Sequence, residues 1–159
     1  MSVLVPKRIV IGIGNPERGD DAVGRSVLAQ LRGSLPASIA LAEENGEAAA
    51  LLARLAGTEA AYLIDAAVSG APPGTIHRLD VAASALPPAI AGFSTHGFGL
   101  AEAIELARAL GRLPPRCVVY AIEAASFAPR APLSPAVAAA LPEVAARLRA
   151  EFGDLTGEE

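Results

Sequence analysis

The sequence predicts a single-domain α/β fold: a three-layer sandwich in which a mostly parallel five-stranded sheet lies between helices. Five short apolar runs, typical of strands, alternate with segments whose apolar residues recur at helical spacing. Strands and helices that alternate along a chain form parallel sheets covered by helices on both faces. The chain has 159 residues, of which 52% are hydrophobic, so it can bury one substantial core.

Each strand is predicted from a short apolar run bounded by turn residues. The first run, Ile9-Val10-Ile11, is continuously apolar, as a strand buried on both faces should be. The second run alternates only weakly, and the fourth is short and is expected near an edge of the sheet. The third and fifth runs lead directly into Asp65 and Glu123. The predicted strands are residues 8–13, 38–42, 60–64, 75–79 and 116–122.

Each helix is predicted from an apolar stripe at helical spacing. The first helix is expected to begin at Asp20 or Asp21 and to run to Arg32. The last helix begins at Pro135, after a serine cap, and Pro142 is expected to kink or split it. The stripes of the four helices are Val23, Val27, Leu28 and Leu31; Leu51, Leu52 and Leu55; Leu100, Ile104, Ala107 and Leu110; and Val137, Leu141, Val144, Leu148 and Phe152.

Composition excludes several classes of protein. The net charge is −4 and no cluster of Lys and Arg interleaves with aromatic residues, so nucleic acid is not an expected partner. No apolar run approaches the roughly 18 residues of a membrane span, and no secretion signal is recognisable. The lone Cys117 is expected to be a small core residue. We therefore expect one cytoplasmic, monomeric domain over residues 1–159, with a frayed tail after about residue 153.

Four polar residues occupy equivalent places, just after a strand or just before a helix: Asp21, Asp65, His96 and Glu123. In open α/β sheets, ligands bind outside the carboxyl ends of the strands, where such residues meet. Two carboxylates and one imidazole form a ligand set that zinc or nickel accepts, and a metal relieves the repulsion between the carboxylates. Asp21, Asp65 and His96 are therefore the candidate metal ligands, and Glu123 is expected to accept hydrogen bonds beside them.

Each candidate also has a structural interpretation. Two aspartates at a helix start usually cap the helix and interact with its dipole, and the sequence does not decide which one does so. We assign capping to Asp20 and the site to Asp21. Taken alone, Asp65 is equally typical of a residue that caps the next loop, and His96 of a loop histidine. His77, in the middle of a strand, is expected to be structural or to face solvent.

Nucleotide binding and serine hydrolysis are poorly supported. The dinucleotide fingerprint requires a third glycine at position 17, where the chain has Glu17. A pyrophosphate would also meet Asp20 and Asp21 at the helix start, where negative charge is unfavourable. The chain contains neither a Gly-Lys-Ser/Thr phosphate loop nor a Gly-x-Ser-x-Gly nucleophile elbow. A nucleotide-binding α/β module is therefore our third hypothesis only.

The motifs resemble those of the hydrogenase maturation proteases, which process the large subunit of nickel–iron hydrogenases. Three blocks carry the resemblance, and Ile122-Glu123 and Leu133-Ser134-Pro135 are similar to weaker family features. In chain order the three blocks are Gly12-x-Gly14-Asn15 with Asp20-Asp21-Ala22-Val23-Gly24, then Leu63-Ile64-Asp65-Ala66 with Pro73-Gly74-Thr75, then Ser94-Thr95-His96-Gly97-Phe98-Gly99-Leu100.

This resemblance implies a compact domain with a twisted five-stranded sheet. It also implies removal of a short C-terminal peptide from the nickel-loaded large-subunit precursor. By position, the catalytic and metal-binding residues of the family fall on Asp21, Asp65 and His96. They would engage nickel carried by the substrate, with zinc or cadmium as substitutes. The alternative is a non-catalytic metal-binding checkpoint or chaperone for the precursor. Departures from the family pattern at Glu17-Arg18 and Glu44-Asn45-Gly46 leave the partner hydrogenase open.

Overall fold

The computed structural model describes residues 5–88 and 99–153. The strands are β1 (Arg8–Ile13), β2 (Ile39–Glu44), β3 (Ala60–Ala67), β4 (Ile76–Asp80) and β5 (Arg116–Glu123). They form one sheet in the order β2-β1-β3-β5-β4. Strands β2, β1, β3 and β5 run parallel to one another, and β4 is antiparallel to β5 at an edge. The predicted mostly parallel sheet, with the fourth strand at an edge, is confirmed.

Helices cover both faces of this sheet, as the three-layer prediction requires. Among the described residues there are four α-helices, and none is long and apolar enough to cross a membrane. The helices are α1 (Val23–Leu31), α2 (Ala48–Leu55), α3 (Gly99–Ala109) and α4 (Pro135–Gly153), and a short 3₁₀ helix (Gly19–Ala22) precedes α1. Helices α1 and α4 pack on one face, and α2 and α3 pack on the other. Their predicted apolar stripes pack against the sheet, except that Leu110 lies beyond the end of α3 and is 53% exposed.

Strand β3 shows how the sheet separates two cores. Tyr62 and Ile64 pack with α1 and α4, whereas Leu63 and Ala67 pack with α2 and α3. Consecutive side chains of a strand point to opposite faces. Asp65 therefore lies on the face that α2 and α3 cover.

Two predicted strand ends were too early by two residues or more. Strand β3 continues two residues beyond Asp65, because it stays paired with β5 as far as the Ala67–Glu123 position. Strand β2 covers Ile39–Glu44 instead of 38–42, because its pairing with β1 continues to the polar end of the strand. Both strands therefore continue to the carboxyl edge of the sheet, where the acidic residues lie.

Pro142 does not split the last helix, contrary to the possibility raised by the sequence. Helix α4 is one continuous element of 19 residues with Pro142 inside it. A proline removes one backbone hydrogen bond. Residues on both sides of it, from Val137 to Phe152, are buried against the sheet, and this packing holds the two parts of the helix together.

Helix α1 lies unusually close to the sheet at its first turn. A Cβ atom on Gly24 would lie 2.5 Å from the carbonyl oxygen of Ile64 and 2.7 Å from the amide nitrogen of Ile13. A Cβ atom on Gly12 would lie 2.6 Å from the carbonyl oxygen of Gly24. Both positions therefore exclude a side chain, and the backbone of α1 rests directly on the ends of β1 and β3.

Gly24→Ala is expected to lower the free energy of unfolding by about 1–3 kcal/mol, because the added methyl group forces backbone atoms apart. Urea denaturation of the variant and the wild type measures this loss. Gly153→Ala is the matched control, since a Cβ there meets no heavy atom within 4 Å. Equal stability of the two variants would contradict the close contact.

Candidate active site at the carboxyl edge of the sheet

Asp21 is buried beneath the turn that follows β1. Its carboxylate oxygen Oδ2 accepts a hydrogen bond of 2.8 Å from the backbone N–H of Asn15. Gly14 has a φ of 133°, and a Cβ there would lie 1.9 Å from the carbonyl oxygen of Asp21. Only glycine allows the turn to fold this tightly over the aspartate. Asp21 is 1% exposed as a result.

Arg25 joins this turn to the next loop along the same edge. Its Nε donates to the carbonyl oxygen of Gly14 at 2.8 Å, and its Nη2 donates to Oδ1 of Asn45 at 2.6 Å. The amide of Gly14 also donates to the carbonyl oxygen of Glu44 at 2.9 Å. Arg25 and this backbone hydrogen bond thus hold the β1–α1 and β2–α2 loops together.

Asp65 lies at the same edge, close to the first turn of α1. It follows Ile64, whose carbonyl oxygen is in contact with Gly24. Asp21 precedes Gly24 by three residues, which is about one helical turn. Asp65 is 7% exposed, and its Oδ1 accepts a hydrogen bond of 2.8 Å from the N–H of Ala66. The structure therefore places Asp21 and Asp65 on either side of one helix–sheet contact.

His96, the third predicted ligand, lies outside the described residues. Helix α3 begins three positions later in the sequence, at Gly99. A Cβ on Gly99 would lie 1.6 Å from the carbonyl oxygen of Gly46, so the start of α3 packs on the β2–α2 loop. The described part of the chain contains no group of three His, Cys, Asp or Glu residues that could hold a metal ion. The three-residue ligand set stays a prediction.

Asp20 does not cap a helix, and our assignment of that role was wrong. Neither the 3₁₀ helix nor α1 has a side-chain capping bond at its start. The side chain of Asp20 is fully buried and turns away from α1, towards the loop that joins β5 to α4. If Asp20 capped α1 instead, the backbone N–H groups of that loop would lack its carboxylate as an acceptor.

The carboxylate of Asp20 accepts four hydrogen bonds from the β5–α4 loop. Its Oδ2 accepts from the N–H of Ala125 at 2.7 Å, from the N–H of Ser126 at 3.0 Å and from the hydroxyl of Ser134 at 2.7 Å. Its Oδ1 accepts from the N–H of Ser134 at 2.7 Å. Burial alone raises the pKa of Asp20, but these hydrogen bonds outweigh burial and hold the pKa below its usual value of 3.8. Asp20 therefore fixes the loop beside Asp21.

Glu123 accepts hydrogen bonds at the end of β5, as the sequence analysis predicted. It is 1% exposed and accepts from the N–H of Ser69 at 3.0 and 3.1 Å and from the hydroxyl of Ser69. The Nε2 atom of His77 also lies 3.2 Å from Glu123 Oε1. The sequence placed no functional weight on His77, because its pairing with Glu123 depends on the antiparallel register of β4 and β5.

Cys117 is a buried free thiol, in agreement with its predicted place in the core. Burial raises its pKa to about 12, with a smaller contribution in the same direction from Asp80. A thiol with so high a pKa is a poor nucleophile at neutral pH. Cys117 therefore has no part in the chemistry of the site.

Comparison with known proteins decides the family. The family model HycI, described as hydrogenase maturation protease, matches residues 28–151. The chain belongs to the hydrogenase maturation proteases. The matched range includes the positions of Asp65 and His96 and begins after that of Asp21. No curated protein matches the chain by sequence.

Solved structures agree with this family and its fold. The hydrogenase maturating endopeptidase HybD from E. coli is 25% identical, with a TM-score of 0.80 over 93% of each chain. A [NiFe] hydrogenase maturation protease HycI from Thermococcus kodakarensis KOD1 is 24% identical, with a TM-score of 0.65 over 90% of each chain. The five-stranded sandwich is thus the fold of hydrogenase maturation proteases.

Asp20→Asn is expected to destabilise the protein by about 1–3 kcal/mol at pH 7, because an amide cannot accept all four hydrogen bonds. The folded-state pKa lies below the unfolded value, so the stability that Asp20 contributes is present above pH about 4 and is lost as the pH falls through the folded-state pKa. Denaturation curves of wild type and variant should converge at low pH.

The control for this change is Asp80→Asn. Within the described part of the chain, the carboxylate of Asp80 accepts from the N–H groups of Ala82 and Ala83 at an exposed turn. This variant should lose much less stability at pH 7. A constant difference between Asp20→Asn and wild type from pH 7 to pH 2 would contradict the lowered pKa.

Proposed function

We propose that this protein is an endopeptidase that removes a short C-terminal peptide from the nickel-loaded large-subunit precursor of a nickel–iron hydrogenase. Asp21, Asp65 and His96 engage the nickel, which arrives with the substrate. The observation that carries this proposal is the position of Asp21 and Asp65 on either side of the contact between Gly24 and Ile64. Membership of the hydrogenase maturation proteases supplies the reaction class.

The chemistry of the described residues fits a divalent metal. Asp21 and Asp65 each bind a backbone N–H through one carboxylate oxygen. Such hydrogen bonds orient ligating groups before the metal arrives. Two carboxylates with one imidazole suit nickel, and zinc or cadmium can replace it. A metal held there supplies Lewis acidity that polarises a nearby carbonyl group.

The departures from the family pattern lie where a substrate would approach. Glu17 and Arg18 are exposed on the β1–α1 loop, and Asn45 is exposed on the β2–α2 loop. Both loops are at the carboxyl edge beside Asp21. We propose that these side chains select the partner hydrogenase. We further propose that the enzyme acts as a cytoplasmic monomer.

The decisive experiment combines metal binding with cleavage of the precursor. Asp21→Asn, Asp65→Asn and His96→Ala should each lower cleavage of the nickel-loaded precursor at least 100-fold, because each removes one of three cooperating groups. Mass spectrometry of the precursor measures cleavage. Titration calorimetry with nickel, zinc or cadmium, in the presence of the precursor peptide, measures metal affinity, which should fall in all three variants.

Asp80→Asn is the control carboxylate, since it is exposed and is part of no proposed site. It should cleave at the wild-type rate. A wild-type protein that retards the precursor on a native gel but leaves its mass unchanged would contradict catalysis and favour the checkpoint alternative. If any one of the three site variants cleaves the precursor normally, the residue changed in that variant is not part of the site.

A further inference from the structure

A single peptide unit lies between the guanidinium of Arg25 and the carboxylate of Asp21. It joins Gly14 to Asn15 in the turn after β1. Its carbonyl oxygen, which belongs to Gly14, accepts a hydrogen bond of 2.8 Å from Nε of Arg25. Its N–H group, which belongs to Asn15, donates a hydrogen bond of 2.8 Å to Oδ2 of Asp21. The two charged side chains are therefore connected through one planar amide.

The backbone conformation of Gly14 makes this connection possible. Its φ of 133° lies in a region that residues with a side chain rarely adopt. The C=O and N–H groups of a trans peptide point in opposite directions. A turn that directs the N–H of Asn15 to Asp21 must therefore direct the preceding carbonyl the other way, and the side chain of Arg25 meets that carbonyl there.

Two further contacts fix the guanidinium of Arg25. Its Nη2 donates to Oδ1 of Asn45 at 2.6 Å, and its Nη1 lies 3.7 Å from Oε1 of Glu43. A guanidinium carries five donors in a rigid planar fork, so it can bind the turn and the β2–α2 loop at the same time. The side chain is 20% exposed, so most of it is shielded from water. The positive charge of Arg25 is therefore held in place against the turn.

The electrostatics of this arrangement strengthen the hydrogen bond to Asp21. A positively charged donor binds a carbonyl oxygen more strongly than a neutral donor does. It also polarises the amide, so the N–H at the other end becomes a better donor, and such cooperativity strengthens each bond by about 10–30%. The acceptor at that end is a carboxylate that is 1% exposed, where water screens the effect little. Arg25 therefore strengthens a hydrogen bond of which it is not itself a partner.

We propose that Arg25 is a positioning residue of the active site, which orients the carboxylate of Asp21 through the Gly14–Asn15 peptide. The inference rests on the proposed endopeptidase function, in which Asp21 engages the nickel of the substrate. Arg25 touches neither the nickel nor the scissile bond. It acts by holding Oδ2 of Asp21 against the turn, so that the carboxylate keeps one orientation when the substrate arrives.

A purely structural role for Arg25 makes a different prediction. If the guanidinium only ties the β1–α1 loop to the β2–α2 loop, its loss would loosen every contact between these loops alike. One such contact is the hydrogen bond of 2.9 Å from the amide of Gly14 to the carbonyl oxygen of Glu44. The positioning role instead predicts a change in the amide of Asn15 alone. The two amides belong to neighbouring residues, so one spectrum separates the two roles.

The first measurement is a proton–nitrogen NMR spectrum of the protein without substrate. In Arg25→Gln the amide proton of Asn15 should move upfield, because its hydrogen bond to Asp21 weakens. The amide proton of Gly14 should keep its chemical shift.

Arg32→Gln is the matched control for this substitution. Arg32 directly follows α1, and its Nη2 lies 3.8 Å from a carboxylate oxygen of Glu43, which Arg25 also approaches. The control removes the same charge from the same neighbourhood without removing the donor to the turn. Both amide signals should stay in place in Arg32→Gln.

The second measurement is single-turnover cleavage of the nickel-loaded precursor, at a precursor concentration that saturates the enzyme. Arg25→Gln should cleave about 10- to 100-fold more slowly than wild type, the usual cost of losing a group that orients a metal ligand. Arg32→Gln should cleave at the wild-type rate. In the Asp21→Asn background, Arg25→Gln should add little further loss, because it acts through Asp21. If cleavage by Asp21→Asn is too slow to follow, the Asn15 signal decides alone.

The outcomes separate this inference from the proposed function. An Asn15 signal that stays in place in Arg25→Gln, or that moves together with the Gly14 signal, overturns the positioning role and leaves the endopeptidase standing. An equal loss of cleavage in the wild-type and Asp21→Asn backgrounds does the same. Failure of the wild type to cleave overturns both. If Arg25→Gln does not fold, Arg25→Lys takes its place with the same expected changes, since lysine lacks the planar fork.

Discussion

The contact between the first turn of α1 and the strand ends below it is the constraint on which the site depends. Gly24 allows the backbone of α1 to contact the backbone of Ile64. Gly12 has no side chain either, which leaves room for the backbone of Gly24. A side chain at either position would force these backbone atoms apart, and Asp21 would move with the helix. This backbone contact therefore fixes how the chain segments that carry Asp21 and Asp65 lie relative to each other.

Hydrogen bonds to buried carboxylates secure the surrounding loops. Asp20 binds the β5–α4 loop, Glu123 binds the β3–β4 loop, and Asp21 binds the turn after β1. Such bonds to a charged acceptor are stronger than bonds between neutral groups. Three loops are therefore held at one edge of the sheet by acceptors that project from the end of β5 and from the 3₁₀ helix before α1.

The pattern of apolar residues was sufficient to predict the sandwich, because the apolar runs of the strands and the stripes of the four helices reflect burial directly. It also predicted Asp21 and Asp65 near the carboxyl edge of the sheet, although β3 continues two residues past Asp65. It could not identify the partners of Asp20, which lie 105 to 114 residues away in the chain. Likewise, the contact of His77 with Glu123 depends on a strand register that local sequence does not encode.

The link between Glu17 and the β5–α4 loop runs through backbone atoms alone: the amide of Arg130 donates to the carbonyl oxygen of Glu17 at 2.6 Å. Neither side chain is needed for it, and both residues are exposed. Glu17 can therefore be exchanged without loosening the scaffold beneath it, whereas the positive φ of 60° at Arg130 favours residues that tolerate the left-handed region. A change of protein substrate could thus be matched by substitutions at this rim that leave the glycines and carboxylates underneath unchanged.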